Sequence, residues 1–149
     1  MTMPSTGPAA VGDTGTEYEV LVERGKIREF AEAMQSELPA YEGPQALTPP
    51  TFLTTSQRWA PPSGRIQTGF ERARLLHGEQ EFVFHGSPPR AGDRLLARER
   101  LVDRYAKAGK RGGEMRFAVV VTEYRSPEGE LVAEARATYI ETAAKEGRK

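Results

Sequence analysis

Apolar residues recur at helical spacing near the start of the chain, within the stretch KIREFAEAMQ. They stand at i, i+3, i+4 and i+7 and are Ile27, Phe30, Ala31 and Met34. This spacing predicts an amphipathic α-helix with one face turned to a core. The helix should end near Ser36, because Pro39 has no place in a helix interior and disfavours helical angles at the residue before it. A short strand, YEVLV at residues 18–22, is predicted just before the helix.

The second half of the chain instead alternates apolar and polar residues, a period typical of β-strands. Strands are predicted over residues 79–85, 94–106 and 131–141, with another around residues 115–121. The residues predicted to share a face are Leu95, Ala97, Leu101 and Tyr105 in one strand, and Leu131, Ala133, Ala135, Ala137 and Tyr139 in the last. Long strands joined by short turns predict an antiparallel meander, and a helix packed on such a sheet makes an α+β fold.

Three segments lie outside these elements. Residues 39–69 form an irregular stretch rich in proline and glycine, which encloses the apolar island LTPPTFLTTSQRW. So long a loop in a compact domain is usually functional or disordered, and the apolar island favours a functional loop. Residues 1–16 and 142–149 are small and polar, so we predict a flexible leader and tail around one domain at residues 17–141.

Composition excludes several classes of function. Among 149 residues, 21 basic side chains balance 21 acidic ones, so the chain has no electrostatic reason to bind nucleic acid or an acidic membrane. The absence of cysteine removes disulfides, thiolate metal sites and cysteine nucleophiles. No apolar run approaches the ~20 residues that span a bilayer. We therefore expect a cytoplasmic protein without a metal or other cofactor.

Four fragments carry a family resemblance: KIREFAEAMQ, ALTPPTF, LLHGEQEFVF and PPRAGDRL, in that order and spacing. Together they resemble the N-terminal-type domain of the MaoC-like family, which includes (R)-specific enoyl-CoA hydratases and (3R)-hydroxyacyl-ACP dehydratases. The resemblance covers about residues 17–141 and implies a hot-dog fold, in which a curved sheet wraps a central helix. It also implies that two hot dogs pair edge to edge, with an acyl thioester bound at the seam.

Active members of that family carry Gly-Asp-x-Asn-Pro-x-His after the helix, and its Asp and His provide the acid–base chemistry. Aligned on the shared proline, this chain has Gln35-Ser36-Glu37-Leu38-Pro39-Ala40-Tyr41. Ser36 then stands at the Asp position and Tyr41 at the His position. An unassisted serine and a phenol with a pKa of about 10 are poor acid–base catalysts at neutral pH. A shift of one residue brings Glu37 to the Asp position but supplies no histidine.

The chain contains two histidines, so the search for the missing pair is complete. Five residues before His77 is Arg72, and five before His85 is Gln80, so neither histidine has a carboxylate at the family's spacing. We interpret His77 as a hydrogen-bonded residue at a strand start near the dimer seam, with a direct catalytic role as the alternative. His85 is predicted to be exposed beside a turn.

The remaining candidates each have a structural alternative. Glu37 is either a general base without its partner or a solvated residue at a helix end. Tyr41 either donates a hydrogen bond to a thioester or pantetheine group or caps the core as a half-buried ring. Residues 48–52, with Pro50, Thr51 and Phe52 as the substrate-binding candidates, either line an acyl tunnel or form ordinary core and turn.

Other polar and aromatic residues are also predicted to have structural roles. Asp93 suits a turn, because aspartate readily accepts hydrogen bonds from the nearby backbone. Trp59 is predicted to anchor the long loop. The arginines at 94, 98, 100 and 104 mostly share one strand face, which is either solvated or docks phosphates of coenzyme A or of a carrier-protein arm.

Three functions remain open at this point. The leading hypothesis is a non-catalytic subunit, which pairs with a second hot-dog subunit bearing the Asp/His pair to hydrate enoyl thioesters or dehydrate (3R)-hydroxyacyl thioesters carried on CoA or acyl carrier protein. The second is a homodimeric acyl-CoA thioesterase in which Glu37 activates water. The third is a module that binds an acyl thioester without chemistry.

Overall fold

A computed structural model describes residues 7–145 of the chain. Its regular elements, in chain order, are β1 (Tyr18–Leu21), α1 (Arg24–Ala33), β2 (Leu75–Phe84), β3 (Arg94–Ala108), β4 (Glu114–Arg125) and β5 (Leu131–Glu141). Between α1 and β2 the chain forms loops and short 3-10 turns, of which the longest is Phe52–Arg58. The helix and strands predicted from periodicity are therefore present.

The strands form one antiparallel sheet in the order β1-β3-β4-β5-β2. The predicted meander is its centre, β3-β4-β5. Ile27 of α1 lies in one buried cluster with Ala133 and Ala135 of β5, so the helix and that strand share a core. The predicted α+β fold, a curved antiparallel sheet with a helix against one face, is confirmed.

A β-bulge in β3 corrects the predicted face of Tyr105. The pairing of β3 with β4 shifts between Leu101 and Asp103, so two residues of one strand oppose fewer on the other. An extra residue exchanges the two faces of the strand beyond it. As a result Arg104, not Tyr105, follows the buried Leu101 on the inner face, and Tyr105 is exposed.

Part of the predicted leader makes backbone hydrogen bonds to the sheet, so those residues are not the free leader that composition suggested. The amides of Gly12 and Gly15 donate to the carbonyls of Leu101 and Glu99 at 2.8 and 2.9 Å. Thr14 forms an isolated bridge with Arg100. Residues 1–6 of the leader and 146–149 of the tail lie outside the described residues.

The long loop packs over the sheet and completes the core. Phe52 and Leu53 are buried, and the Phe52 ring meets Phe30 of α1 edge to face at 5.6 Å. The buried Thr48 donates its hydroxyl to the carbonyl of Pro89 at 2.8 Å, which ties the loop to the turn before β3. The apolar island is therefore part of the folded core.

Candidate active site

A surface cleft of about 700 Å³ lies between α1 and the segment that follows it. The helix contributes Arg28, Ala31 and Glu32 to its walls, among others. The segment after the helix contributes Ser36, Glu37, Leu38, Tyr41, Glu42 and Gly43. The cleft therefore brings together the three residues predicted at the Asp and His positions, namely Ser36, Glu37 and Tyr41.

The end of α1 supports the alignment on which those positions depend. Gln35 has a φ of 57°, the one positive φ of a non-glycine residue in the described chain. The amide of Ser36 donates to the carbonyl of Ala31 at 2.9 Å, which closes the helix as in a Schellman motif. Glycine is favoured in that left-handed conformation, and the family's motif has Gly at the position that Gln35 occupies.

The three side chains differ in their surroundings. Ser36 is half-buried, and its hydroxyl lies 3.4 Å from the amide of Leu38. Tyr41 is half-buried, and its ring packs against the main core cluster. Glu37 is exposed at the rim. The packing of Tyr41 accords with the core-capping alternative, and the exposure of Glu37 accords with a solvated helix end.

Charge in the cleft comes from surface side chains. Arg28 and Glu32 form an ion pair at 3.2 Å, but both side chains are largely exposed, so the pair contributes little free energy. Neither histidine lines the cleft. Its walls can hold a polar group by hydrogen bonds, but they contain no imidazole beside a carboxylate.

His77 lies in β2, at the edge of the sheet. It is exposed, and its ring contacts Tyr139 of β5 with 5.1 Å between centroids. No carboxylate among residues 7–145 forms an ion pair or hydrogen bond with it. The expected place at a strand start is found, and the contact there is aromatic.

His85 does meet a carboxylate, which the spacing argument did not foresee. Its Nε2 lies 2.8 Å from Oε2 of Glu134, a residue far away in the chain but adjacent across the β2–β5 pairing. Glu134 stands between the buried Ala133 and Ala135, so it points to the face opposite α1. The pair is open to solvent and does not line this cleft.

The stretch predicted as a tunnel wall divides between surface and core. Pro50 and Thr51 are exposed, whereas Phe52 is 3% exposed and packs on Phe30. For Phe52 the contacts are those of ordinary core. A role of Pro50 and Thr51 beside an acyl chain remains a prediction.

The other residues singled out in the sequence have structural contacts. Asp93 accepts the amide of Arg90 at 2.9 Å, as expected in a turn. Arg94, Arg98 and Arg100 form surface ion pairs with Glu19, Glu17 and Glu123, respectively. Trp59 is half exposed. Arg104 departs from this solvated face and donates to the carbonyls of Ala9 and Thr68.

A buried polar cluster beneath the long loop was missed. Glu99 is 6% exposed and accepts the amide of Ile66 at 2.8 Å. Near it, Tyr124 and Ser56 share a 2.7 Å hydrogen bond, and the Tyr18 hydroxyl lies beside Ser56 without a hydrogen bond of accepted geometry to any described residue. The burial of Glu99 could have been predicted from the sequence, because this residue has the same strand parity as the apolar residues Leu95, Ala97 and Leu101.

Burial sets the ionisation of this cluster. It raises the pKa of Glu99, while the Ile66 amide and the nearby Arg65 partly oppose the change. It also raises the pKa of Tyr18 to about 12, with Glu99 adding to the effect and Ser56 opposing it. The tyrosines are thus neutral at physiological pH, and the cluster does not line the cleft.

Within residues 7–145 no three potential metal ligands of the His, Cys, Asp or Glu type come together at one place. Among the same residues, no helix has the length and apolar character needed to cross a bilayer.

The curved antiparallel sheet and the helix against one of its faces define a hot-dog fold. A chain of the C-terminally truncated HadBC complex of Mycobacterium tuberculosis, a 3R-hydroxyacyl-ACP dehydratase, superposes with a TM-score of 0.69 at 26% identity, over 87% of this chain and 96% of that one. A MaoC-like dehydratase from Rhodospirillum rubrum superposes with a TM-score of 0.64 at 15% identity, over 93% of this chain and 96% of that one. The predicted MaoC-like hot-dog fold is confirmed.

Sequence comparison supplies the family itself. The family described as FAS1-like, dehydratase domain region matches residues 9–135. A UPF0336 protein of Saccharopolyspora erythraea is 36% identical over 134 residues, which is 83% of this chain and 81% of the relative. The chain therefore belongs to the FAS1-like dehydratase family, together with the UPF0336 proteins.

Proposed function

We propose that this chain is the non-catalytic subunit of a heteromeric MaoC-like dehydratase. It pairs with a second hot-dog subunit that carries the Asp/His pair, and the two convert (3R)-hydroxyacyl thioesters to enoyl thioesters or the reverse. HadBC, which shares the fold, is itself a complex. The observation that carries the proposal is the presence of Ser36 and Tyr41 in the cleft at the Asp and His positions.

The chemistry explains why a partner is needed. Adding or removing water across the α,β bond requires a base at the α-carbon, an acid at the β-oxygen and a dipole at the thioester carbonyl. Ser36 and Tyr41 supply neither the base nor the acid. The partner therefore provides both, and this chain provides the second wall of the acyl-binding channel.

The surface that receives the partner is the outer edge of β2. This strand has ten residues and ends the sheet, whereas the strand at the other end, β1, has four. An edge strand presents unpaired amides and carbonyls, which another strand can pair with. Leu75 and Leu76 at the start of β2 are 39% and 53% exposed, so pairing there also removes apolar surface from water.

The opposite side of the sheet is less available. The β3 backbone is paired with β1, and beyond β1 with residues 12–15 of the chain's own N-terminal segment. Pairing of a partner strand with β2 would thus give one continuous sheet and would provide hydrogen-bond partners for the backbone groups of the longest free edge. His77 lies on that strand and would be at the seam.

A matched pair of leucine variants tests the assignment of the edge. Leu76→Glu places a charge on β2, while Leu21→Glu makes the same change at a 47% exposed leucine on β1. The full chain is co-expressed with a hot-dog subunit that has an intact Gly-Asp-x-Asn-Pro-x-His motif, and complex formation is measured by size-exclusion chromatography with light scattering. We expect Leu76→Glu to lose the complex and Leu21→Glu to keep it. Equal complex formation by both variants would contradict the β2 seam.

The thioesterase alternative makes a different prediction. It needs a stable homodimer and hydrolysis of acyl-CoA that disappears in Glu37→Gln. Glu37 is exposed at the rim of the cleft, without the burial that tunes a general base. We therefore expect no such hydrolysis, and its detection in the wild-type chain with loss in Glu37→Gln would reject the dehydratase proposal.

A further inference from the structure

A second groove, of about 840 Å³, lies at the end of the sheet where the β3–β4 hairpin meets residues 142–145. The hairpin loop, AGKRGG, packs closely on that segment: a Cβ on Gly113, whose φ is 76°, would come within 2.6 Å of the Ala143 methyl. The groove is thus built by two segments held together, and a side chain at Gly113 would push them apart.

Unpaired positive charge surrounds this groove. Lys107, Lys110, Arg111 and Lys145 all line it. Within residues 7–145 none of the four forms an ion pair, although most other arginines on the sheet do. The chain as a whole has no net charge, so this is a local excess of positive charge that favours an anionic ligand.

The floor of the groove is apolar and partly aromatic. Met115, Phe117 and Ala143 contribute to it. The Phe117 ring stacks on Tyr105, with 4.7 Å between centroids and planes 7° apart, and Lys107 Nζ lies 5.5 Å from the Phe117 centroid. Such a floor suits the flat face of an aromatic ligand.

We propose that this hairpin groove binds the phosphorylated nucleotide of an acyl-coenzyme A. Lys110, Arg111 and Lys145 contact the phosphates, and the adenine lies over Met115 and Phe117. The inference rests on the proposed function in one respect, since it names coenzyme A as the carrier of the thioester. The volume lies within the ~300–1,000 Å³ usual for small-molecule sites, which favours a nucleotide over the broad face of a protein.

The groove lies next to one end of the proposed seam. The amide of Thr142, at one side of the groove, donates to the carbonyl of Arg74 at 2.9 Å, directly before the first residue of β2. The proposed seam begins at that same strand end, with the exposed Leu75 and Leu76. The floor of the groove opens on the face opposite α1, because Phe117 has the same strand parity as Glu123, which pairs with Glu134. A thioester held in the cleft beside α1 would therefore have to pass around the β2 edge to place its nucleotide in the groove.

The test is a calorimetric titration of the full chain with adenosine 3′,5′-bisphosphate, the nucleotide part of coenzyme A. The variant Lys110→Ala/Arg111→Ala removes two cations from an exposed loop. The control Arg58→Ala/Arg136→Ala removes two exposed cations that lie outside the groove and form no ion pair among the described residues. We expect the hairpin variant to weaken binding about tenfold, the control to match wild type, and added salt to weaken binding in wild type.

Several results would overturn the inference. One is the absence of binding, and another is equal affinity in the two double variants. Adenosine binding as tightly as the bisphosphate would show that the cations do not take part. Binding of an acidic carrier protein that is sensitive to Lys110→Ala/Arg111→Ala, with no binding of the bisphosphate, would replace a nucleotide groove by a protein-docking surface.

Failure of this inference is distinguishable from failure of the proposed function. If the heteromer dehydrates acyl thioesters and the bisphosphate does not bind, the groove assignment is wrong and the subunit assignment stands. If the bisphosphate binds at the hairpin and no pairing yields turnover, the groove stands and the dehydratase assignment is wrong.

Discussion

His85 and Glu134 lie in direct contact, with Nε2 of the histidine 2.8 Å from Oε2 of the carboxylate. An imidazole beside a carboxylate is the pair that the family's chemistry requires, so the location of this contact matters. It is on the sheet face opposite α1, with the two side chains 42% and 28% exposed. The cleft beside α1, where Ser36 and Tyr41 lie, has no histidine in its walls.

The first prediction concerns that pair. His85→Ala is expected to leave turnover by the assembled heteromer within about twofold of wild type and the free energy of unfolding within about 0.5 kcal/mol, because exposed ion pairs contribute little. Steady-state kinetics and chemical denaturation measure the two quantities. A loss of turnover with stability unchanged would show that the pair is catalytic and that the chain is not a silent subunit.

The second prediction concerns the end of α1. Gln35→Gly should raise the free energy of unfolding by about 0.5–1 kcal/mol, because Gln35 has a φ of 57° that glycine adopts without strain. Ala33→Gly, in the last turn of the same helix, is the control and should lower it by up to about 1 kcal/mol. Urea denaturation gives both values. Destabilisation by Gln35→Gly would mean that this residue does not occupy the motif's glycine position.

The third prediction compares two buried tyrosines. The Tyr124 hydroxyl bonds with Ser56 at 2.7 Å, whereas the Tyr18 hydroxyl makes no hydrogen bond of accepted geometry within residues 7–145. A buried polar group without a partner costs about 1–3 kcal/mol. Tyr18→Phe is thus expected to be neutral or stabilising by about 1 kcal/mol, and Tyr124→Phe to be destabilising by about as much. Urea denaturation measures the free energy of unfolding of both variants. A similar decrease in the two would contradict the difference in hydrogen bonding between Tyr18 and Tyr124.

The fourth prediction follows from the raised pKa of Glu99. Burial makes the pKa of Glu99 higher in the folded chain than in the unfolded chain. The contribution of such a carboxyl to the free energy of unfolding is therefore greatest in acid, and it falls as the pH rises above the ordinary pKa of ~4.3. Glu99→Gln retains an acceptor for the Ile66 amide. Its melting temperature should exceed that of wild type by roughly 2–4 °C near pH 7, and the gain should shrink toward pH 4.

Glu141 provides the control of opposite sign. Its pKa is lowered by the Glu71 amide, which donates to it at 2.5 Å, and further by Arg116 and Arg74, with burial opposing them. Its contribution is present above ~4.3 and is lost as pH falls through the folded pKa. Glu141→Gln should therefore destabilise at pH 7 and differ least from wild type in acid. If the stability of Glu99→Gln and Glu141→Gln relative to wild type changed with pH in the same direction, the opposite pKa shifts assigned to Glu99 and Glu141 would be wrong.

Much of the fold was predictable because its signals are local. The 3.6-residue spacing around Ile27 and Phe30 gave α1, and the alternation around Ala133 and Ala135 gave the strand that shares a core with it. The bulge near Leu101 was not predictable, because the inner-face residue beyond it is the charged Arg104, which gives no apolar signal, and the shift becomes visible only in the pairing. The docking of Gly12 and Gly15 was missed because backbone groups, not side chains, make those contacts.

The placement of two residues at the candidate site could be predicted from the sequence. Ser36 and Tyr41 follow from the order of the motif, and the conformation of Gln35 supports that alignment. Contacts between distant parts of the chain were not predictable in this way. His85 meets Glu134 only through the β2–β5 pairing, and the hairpin groove arises from two segments far apart in the sequence.

The most direct measurement is hydration of crotonyl-CoA by the full chain purified free of any other hot-dog subunit. The account predicts no turnover above buffer, and turnover when the chain is combined with a subunit that bears an intact Asp/His motif. Turnover by the lone chain at the rate of the combined proteins would contradict it.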